Sequence, residues 1–283
     1  MGKILITGAT GTVGRKLVTA LVRAGERMLA ASRRPEQPES EGVEPVTLDF
    51  EQPQTFESAL VDVDRVFLIA RPGDEAADRV ALPLIEAMER CGVSHVVNLS
   101  ALGSDVAGHV PALRNIEQRL ERSRMTHTHL RPNFFAQFFA VPPLSSVLKT
   151  ANVLELPAAN ATIAFVDAGD VAEVARAALI DPVHRGRAYT LTGPRALDHA
   201  EVAAAIAHAT GRALAYRAVD EFAFALTLRG FGLPPDRVER TLRFYRRVRE
   251  GAASLVTDDV ARILGRPART FQQVAWLERQ CWL

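Results

Sequence analysis

The chain has 283 residues, of which 48% are hydrophobic and 24% charged, with a formal net charge of +1. This composition is typical of a globular protein long enough for one large α/β domain, and it excludes a disordered or fibrous chain. A near-neutral charge without a long run of one sign predicts neither a nucleic-acid partner nor a membrane partner. The basic cluster at 243–249 is interpreted as a solvated helix face.

The thiol content favours a reducing compartment. Only Cys91 and Cys281 are present, without a CxxC pair, and two lone thiols do not make a disulfide framework. The first residues lack the features of a signal peptide, and no apolar run approaches the ~20 residues of a membrane span. We therefore expect a soluble, cytoplasmic protein that is a monomer or a homodimer.

Short apolar runs alternate with helical patterns through the first half of the sequence. They predict strands at 3–7, 27–32, 43–49, 65–70, 95–100 and 127–131, and helices at 12–24, 54–61, 76–90 and 112–122. Gly25 and Gly92 follow two of these helices, as expected for left-handed caps. This alternation is typical of a parallel sheet with helices on both faces, so the predicted fold is an α/β, doubly wound Rossmann domain.

The regularity breaks down after residue 131. A Phe-rich segment at 133–139 precedes a strand-like run at 162–166, a helix at 170–180 and a strand at 187–191. Asp198 and Glu201 have capping-box spacing for a helix at 200–210 that ends at Gly211, and further helices are predicted at 221–229, 236–250 and 258–264. We expect a Rossmann core at 1–132, with returning segments near 160–192, and a mainly substrate-binding, mixed α/β region at 133–283.

A glycine-rich turn follows the first predicted strand and opens the first helix. Its first glycine permits a tight turn, the second lets backbone amides approach a pyrophosphate, and the third lets helix and strand pack closely. The amides and the positive end of the helix dipole then face the anion. The alternative is a structural turn without a ligand. The residues predicted to hold the dinucleotide are Gly8, Thr10, Gly11, Thr12, Val13 and Gly14.

The end of the second strand indicates the type of cofactor. An NAD site would carry an acidic residue there, bonded to the ribose 2′-hydroxyl. The chain instead has Ser32, Arg33 and Arg34, with no carboxylate before Glu36. Because an arginine binds a 2′-phosphate that a carboxylate would repel, NADPH is expected rather than NADH. The alternative is that these are solvated loop arginines.

Three motifs are informative in combination: Ile-Thr-Gly-Ala-Thr-Gly-Thr-Val-Gly at 6–14, Val-Val-Asn-Leu-Ser-Ala-Leu-Gly at 96–103 and Leu-Arg-Pro-Asn-Phe-Phe-Ala-Gln at 130–137. Together they resemble the NmrA-like family of atypical short-chain dehydrogenases/reductases. The resemblance implies a Rossmann core that carries NADP. It also implies cofactor contacts from Asp49 and Phe50 at the adenine, from Ile69, Ala70 and Arg71 at the ribose and phosphates, from Ser100, Ala101 and Leu102 at the nicotinamide, and from Pro132, Asn133 and Phe134 along the cleft.

Many members of the wider superfamily use a Tyr-x-x-x-Lys pair to protonate a carbonyl oxygen. None of the three tyrosines of this chain has a lysine four residues on. Ketone reduction without a positioned acid would forfeit about 10²–10⁴-fold in rate. The predicted acceptor is therefore an activated small molecule: a quinone, an imine or a conjugated enone. The acceptor is also expected to be apolar, since the phenylalanines at 134–139 fall where the wall of the cleft is expected. The alternative is that these phenylalanines belong to an ordinary helix core, and both interpretations can hold for different faces.

Three residues are candidates for a surrogate catalytic group. Ser100 follows a central strand, His109 is of the residue type that most often serves as a general acid or base, and Asn115 has an amide that could position a carbonyl or a water. A loop histidine and a surface-helix asparagine are the simpler interpretations of the last two.

Two further pairs have structural interpretations. His127 and His129 are predicted to share one strand face, but without an obvious third ligand no metal site is predicted. Glu117 and Glu121 lie one helical turn apart and are interpreted as solvated charges.

Three functions fit these patterns. The first is an NADPH-dependent oxidoreductase, and the second is a non-catalytic redox sensor or scaffold that binds NADP(H). The third is an isomerase or epimerase that uses a bound cofactor.

Overall fold

The computed structural model describes residues 2–35, 41–70, 74–106, 108–142 and 144–283. The chain divides into two compact units. Unit 1 comprises Met1–Pro132, Ala168–Leu191 and Asp259–Gly265, and unit 2 comprises Asn133–Asp167, Thr192–Asp258 and Arg266–Leu283.

The strands are β1 (Lys3–Ile6), β2 (Met28–Ser32), β3 (Val43–Thr47), β4 (Val63–Ile69), β5 (His95–Leu99), β6 (Thr126–Pro132), β7 (Val153–Leu156), β8 (Arg187–Leu191) and β9 (Ala215–Ala218). The helices are α1 (Thr12–Arg23), α2 (Phe56–Ala59), α3 (Ala77–Arg90), α4 (Pro111–Glu121), α5 (Leu144–Thr150), α6 (Ala168–Ile180), α7 (His199–Thr210), α8 (Glu221–Gly230), α9 (Pro235–Arg249), α10 (Asp259–Leu264) and α11 (Phe271–Glu278).

Unit 1 contains a seven-stranded, fully parallel sheet in the order β3-β2-β1-β4-β5-β6-β8. The predicted α/β Rossmann fold is therefore confirmed. The strand order runs outward from β1 to β3, then restarts at β4 on the other side of β1. The carboxyl ends of β1 and β4 thus form a topological switch point, which is where open α/β sheets bind ligands.

Apolar side chains on both faces of the central strands explain why this sheet is buried. Leu5 of β1, Val66 and Leu68 of β4 and Val96 of β5 join one core cluster with the apolar residues of α3 and α4. Helices α1 and α6 pack against each other, and α6 also contacts β4, β5 and β6. The strands therefore read as nearly continuous apolar runs, as expected for parallel strands covered by helices.

The predicted helix ends are confirmed. Gly25 and Gly92 follow α1 and α3 with φ of 74° and 81°. Asp198 and Glu201 form a reciprocal capping box at the start of α7, and Gly211 ends that helix with φ of 69°. Glycine is favoured at such ends because a left-handed φ strains other residues.

Unit 2 has its own core and a two-stranded parallel sheet of β7 and β9. Phe139, Phe165, Tyr245 and Trp282 are among its buried residues. The Trp282 indole donates a hydrogen bond to the Phe139 carbonyl at 2.7 Å, so the polar atom of this buried ring is satisfied.

Two predicted elements differ from the structure. The run at 162–166 is not a strand, because it pairs with two different segments through single bridges, Phe135 with Val166 and Ile163 with Leu197. The helix predicted at 54–61 is a 3-10 turn at Pro53–Thr55 followed by the short α2, and the left-handed Asp62 (φ 60°) follows it. Among the described residues, no helix combines the length and apolar character needed to span a bilayer.

Candidate cofactor site

The turn between β1 and α1 is tightest at Gly14, where no side chain fits. A Cβ on Gly14 would lie 2.1 Å from the carbonyl oxygen of Gly8, and one on Gly11 would lie 3.2 Å from the same oxygen. The Gly11 amide donates to that oxygen at 2.9 Å and closes the turn, while Gly8 adopts a φ of +63°. The turn is therefore as tight as the glycine spacing predicts.

The first turn of α1 has unsatisfied backbone amides. Its N-cap is Gly11, no side chain caps it, and no acidic residue lies in its first turn. Side chains of Asp198, Asp220 and Thr270 cap α7, α8 and α11, whereas α3, α4 and α9 also lack a side-chain cap, so α1 differs from these three by the glycine turn that precedes it. Free amides and a positive dipole end attract a phosphate group. The residues at the start of α1 thus fit the pyrophosphate of a dinucleotide.

Thr7 links the two strands that flank the switch point. Its hydroxyl donates to the Phe67 carbonyl at 3.1 Å and accepts from the Ile69 amide at 2.7 Å. The Thr7 amide also donates to the Phe67 carbonyl at 3.0 Å. Sequence reasoning treated Thr7 only as the end of a strand, and a hydroxyl directly before the glycine turn was the signal available.

The residues after β2 remain open to solvent. Ser32 is half-buried, and Arg33 and Arg34 are exposed. Neither arginine forms an ion pair within the described part of the chain, so both guanidinium groups are available to an anion. This arrangement fits the 2′-phosphate of NADP, because an arginine offers it charge-assisted hydrogen bonds.

The residues assigned by resemblance to the adenine, ribose and phosphates lie around the ends of β3 and β4. The Asp49 carboxylate accepts hydrogen bonds from the Glu51 amide at 3.0 Å and from the Gln52 side chain at 3.1 Å. The remaining members of this set are Phe50 and Ile69, which are half-buried, Ala70, which is buried, and Arg71, which lies outside the described residues.

The segment after β5 continues the backbone ladder to β6. The Ser100 amide donates to the Leu130 carbonyl at 2.8 Å, and the Leu102 amide donates to the Pro132 carbonyl at 2.9 Å. Ser100 is 6% exposed, and its Oγ has no hydrogen-bond partner of normal geometry among the described residues. Ala101 and Leu102 are half-buried. A buried hydroxyl without a partner is costly, so Ser100 has bonding capacity to spare for a ligand or a water.

Asn133 and Phe134 belong to unit 2. The Asn133 amide nitrogen donates to the Ala253 carbonyl, and its oxygen accepts from the Phe134 amide, both at 2.8 Å. The Phe134 ring stacks on Phe244 with centroids 4.4 Å apart. Of the nearby phenylalanines, Phe139 is fully buried in the core of unit 2, whereas Phe134, Phe135 and Phe138 keep some exposed surface.

The prediction that Glu117 is a solvated charge is wrong. Its side chain is fully buried, and its carboxylate accepts four hydrogen bonds. Oε1 accepts from Ser104 Oγ at 2.7 Å and from Arg131 Nε at 3.0 Å, while Oε2 accepts from Arg131 Nη2 at 2.9 Å and Arg114 Nη1 at 3.0 Å. Arg131 also donates to the Asp105 carboxylate at 2.8 Å. We call these five residues the Glu117 cluster.

The charge of Glu117 is held firmly in the ionised form. Burial by itself raises the pKa of Glu117, but hydrogen bonds from Arg131 and Ser104 outweigh it and bring the pKa from 4.5 down to about 2. Helical spacing showed that Glu117 and Glu121 share a face of α4. It did not show that Arg131, on a strand that follows the helix, meets that face.

The three candidate catalytic residues differ in their surroundings. Ser100 is buried at the end of β5, whereas His109 and Asn115 are exposed. The Asn115 amide donates to the Asp78 carboxylate at 2.7 Å. A catalytic role for any of them stays a prediction.

No tyrosine lies on α4. Tyr189 is in β8, where its hydroxyl is 2.9 Å from His184 Nδ1, and Tyr216 in β9 donates to the Ala159 carbonyl at 2.8 Å. Burial raises the pKa of Tyr245, in α9, far above its usual value. Each of the three tyrosines is therefore engaged in a local hydrogen bond or in core packing.

The two histidines of β6 share one strand face, as predicted. The rings of His127 and His129 stack with centroids 4.7 Å apart. Burial lowers the pKa of His129 from 6.5 to about 4, so its imidazole is neutral at pH 7. Across the described ranges, no group of three or more potential ligands could hold a metal ion.

Comparisons with known proteins agree with this geometry. Residues 8–182 match the model of an NAD(P)H-binding family. The chain is 31% identical over 279 residues to the NAD(P)H azoreductase of Xenophilus azovorans, covering 96% of each chain. It is 35% identical over 279 residues to the (4-alkanoyl-5-oxo-2,5-dihydrofuran-3-yl)methyl phosphate reductase of Streptomyces griseus, covering 95% of each.

A solved structure shares the fold over nearly the full length. The triphenylmethane reductase of Citrobacter sp., complexed with NADP(H), superposes with a TM-score of 0.86 at 20% identity, covering 99% of this chain and 100% of that chain. The predicted resemblance to an NAD(P)H-binding family is confirmed. The chain belongs to the NAD(P)H-binding family.

Proposed function

We propose that this chain is an NADPH-dependent reductase that passes a hydride to an activated, apolar acceptor such as a quinone, an imine or a conjugated enone. The observation that carries the proposal is the turn between β1 and α1. There, a glycine-rich turn leads into a helix in which Gly14 has no space for a Cβ and the first amides have no side-chain cap. The turn lies at the switch point of a parallel sheet, where such amides hold a pyrophosphate.

The preference for NADPH rests on Arg33 and Arg34. Both are exposed directly after β2 and have no ion-pair partner in the described residues. An NAD site would offer the ribose 2′-hydroxyl a carboxylate at this place. Here the two guanidinium groups offer charge and hydrogen bonds that the extra phosphate of NADPH would use.

The class of acceptor follows from the polar groups at the end of β5. NADPH supplies a hydride from its nicotinamide ring when it is bound. Ser100 offers the acceptor a hydroxyl, which donates a hydrogen bond but is not an acid near pH 7. An acceptor that takes hydride without a proton in the same step therefore suits these residues better than a simple ketone.

The names of two relatives support an activated acceptor, although one of these names describes a phosphate ester. An azo group and an acyl-substituted dihydrofuranone both contain an electron-poor double bond. Unit 2, with its partly exposed Phe134, Phe135 and Phe138, is our candidate for the region that recognises the acceptor. Apolar walls with few polar groups are typical of small-molecule sites.

The experiment is NADPH oxidation, followed at its absorbance band, with a quinone, an azo dye, an imine and a conjugated enone. An unactivated ketone of similar size is the control acceptor. We expect turnover with activated acceptors and a rate lower by about 10²-fold or more with the ketone, which lacks a positioned acid. Tight NADPH binding without turnover on any acceptor would contradict the proposed reductase and favour a non-catalytic NADP(H)-binding sensor.

A further inference from the structure

The Glu117 cluster is costly if its only role is stability. Desolvation of two buried charges offsets most of their attraction, so a well-packed apolar replacement is often as stable as the ion pair. Glu117 is nevertheless fully buried, with four donors on one carboxylate. A role in fixing local geometry would explain why such a pair is kept.

The cluster joins three elements that meet at the carboxyl end of β5. Glu117 comes from α4, Arg131 from β6, and Ser104 and Asp105 from the loop that leaves β5. Through Ser104 and Asp105, the loop is tied to Glu117 at 2.7 Å and to Arg131 at 2.8 Å. The loop turns back at Ala101, whose carbonyl accepts from the Ser104 amide at 3.1 Å.

This anchoring determines where residues 100–102 can lie. They are held on one side by backbone bonds to β6 and on the other by the Ser104 tether to Glu117. Ser100, the first of these three residues, has a buried Oγ with no hydrogen-bond partner among the described residues. The free hydroxyl and the anchored loop are therefore parts of one arrangement.

We propose that Glu117 is a positioning residue, which acts through Ser104 and Arg131 to hold residues 100–102 against the nicotinamide end of the cofactor. The proposal rests on the proposed function, because it takes these three residues as nicotinamide contacts. It assigns Glu117 no proton transfer, since its four donors keep the carboxylate ionised. Glu117 instead restricts the conformations of the loop before the cofactor binds, so less conformational entropy is lost on binding.

The test is Ser104→Ala, which removes the loop tether and leaves Glu117 three donors from two arginines. Two ligands are compared by calorimetry: NADPH, and adenosine 2′,5′-bisphosphate, which lacks the nicotinamide half. We expect the affinity for NADPH to fall about tenfold, the scale of one hydrogen bond to a charged group, while the affinity for the bisphosphate stays unchanged. Fluorescence of bound NADPH, which reports the surroundings of its nicotinamide ring, should move toward the free value.

The matched control is Ser123→Ala. Ser123 lies just after α4, and its hydroxyl donates to the Leu120 carbonyl at 2.7 Å, away from the Glu117 cluster. This variant should leave both affinities and the fluorescence unchanged. A second variant, Asp105→Ala, removes the other loop tether and should lower only the NADPH affinity, by a smaller factor because Asp105 is exposed.

Two results would overturn the proposal. One is an NADPH affinity and fluorescence in Ser104→Ala equal to those of the unmodified chain. The other is an equal loss of affinity for both ligands, which would make the cluster a general structural element. Absence of turnover in the unmodified chain would count against the proposed reductase alone, because the comparison of the two ligands needs no acceptor.

Discussion

Replacing Gly14 with alanine is the sharpest test of the phosphate-binding turn. The new Cβ would lie 2.1 Å from the Gly8 carbonyl oxygen, 2.8 Å from the Gly8 carbonyl carbon and 2.9 Å from the Ala9 Cα. All three are backbone atoms, so no side chain can rotate away. Nonbonded atoms approach to about 3.5 Å, and the turn must therefore open by roughly 1 Å. Overpacking of this kind costs about 1–3 kcal/mol.

The same displacement would separate the first amides of α1 from the pyrophosphate. We expect the affinity for NADPH to fall by about 10- to 100-fold, with a lower melting temperature of the cofactor-free protein. Calorimetric titration with NADPH and thermal unfolding measure the two effects. Gly230→Ala is the matched control, because Gly230 is an exposed helix residue at which a new Cβ would meet no atom within 4 Å. If Gly14→Ala bound NADPH as tightly as Gly230→Ala, the reasoning would be refuted.

The remaining predictions concern cofactor choice and pH. Arg33→Ala/Arg34→Ala should weaken NADPH binding about tenfold or more and leave NADH unchanged in parallel titrations; an equal loss for both nucleotides would contradict the assignment. Burial lowers the pKa of three histidines from 6.5 to about 4, namely His95, His129 and His199. The unfolded chain takes up these protons first as the pH falls below 6.5, so the free energy of unfolding should drop between pH 6.5 and 4, by about 1.4 kcal/mol per pH unit for each histidine. In urea titrations, His199→Asn should make this dependence shallower, whereas His208→Asn, at an exposed position of the same helix, should not.

Unit 1 was predictable because its signals are local. Apolar runs of parallel strands, the glycines after α1 and α3 and the glycine turn each occupy one short stretch of sequence. The order of the strands then follows from the rules for parallel connections.

The two-stranded sheet of unit 2 was not predictable in this way. Strands β7 and β9 have four residues each and are separated by more than 50 residues of chain. Their pairing depends on tertiary contacts rather than on a local pattern. Helix α11 is different, because Thr270 and Gln273 form a capping box whose spacing is already visible in the sequence.

The candidate site likewise has one part that the sequence predicts and one part that it does not. The positions of Gly8, Gly11 and Gly14 follow from a motif with a mechanical reason for each glycine. The environment of Glu117 depends on Arg131, a residue 14 positions away on another element, and no periodicity reports that contact. Glutamate and arginine are usually exposed, so residue type alone predicts exposed side chains here. Their burial as an ion pair becomes visible only in the three-dimensional structure.

The discontinuous make-up of unit 1 has a consequence for its biosynthesis. Strand β8 covers the outer edge of β6, and α6 packs on α1, yet both follow residue 132 in the chain. A nascent chain that has emerged only to residue 132 exposes an unpaired strand edge and the apolar flank of a helix, both of which favour aggregation. Ribosomal pausing within 133–167 would therefore leave a species that depends on chaperones until the later segments are synthesised.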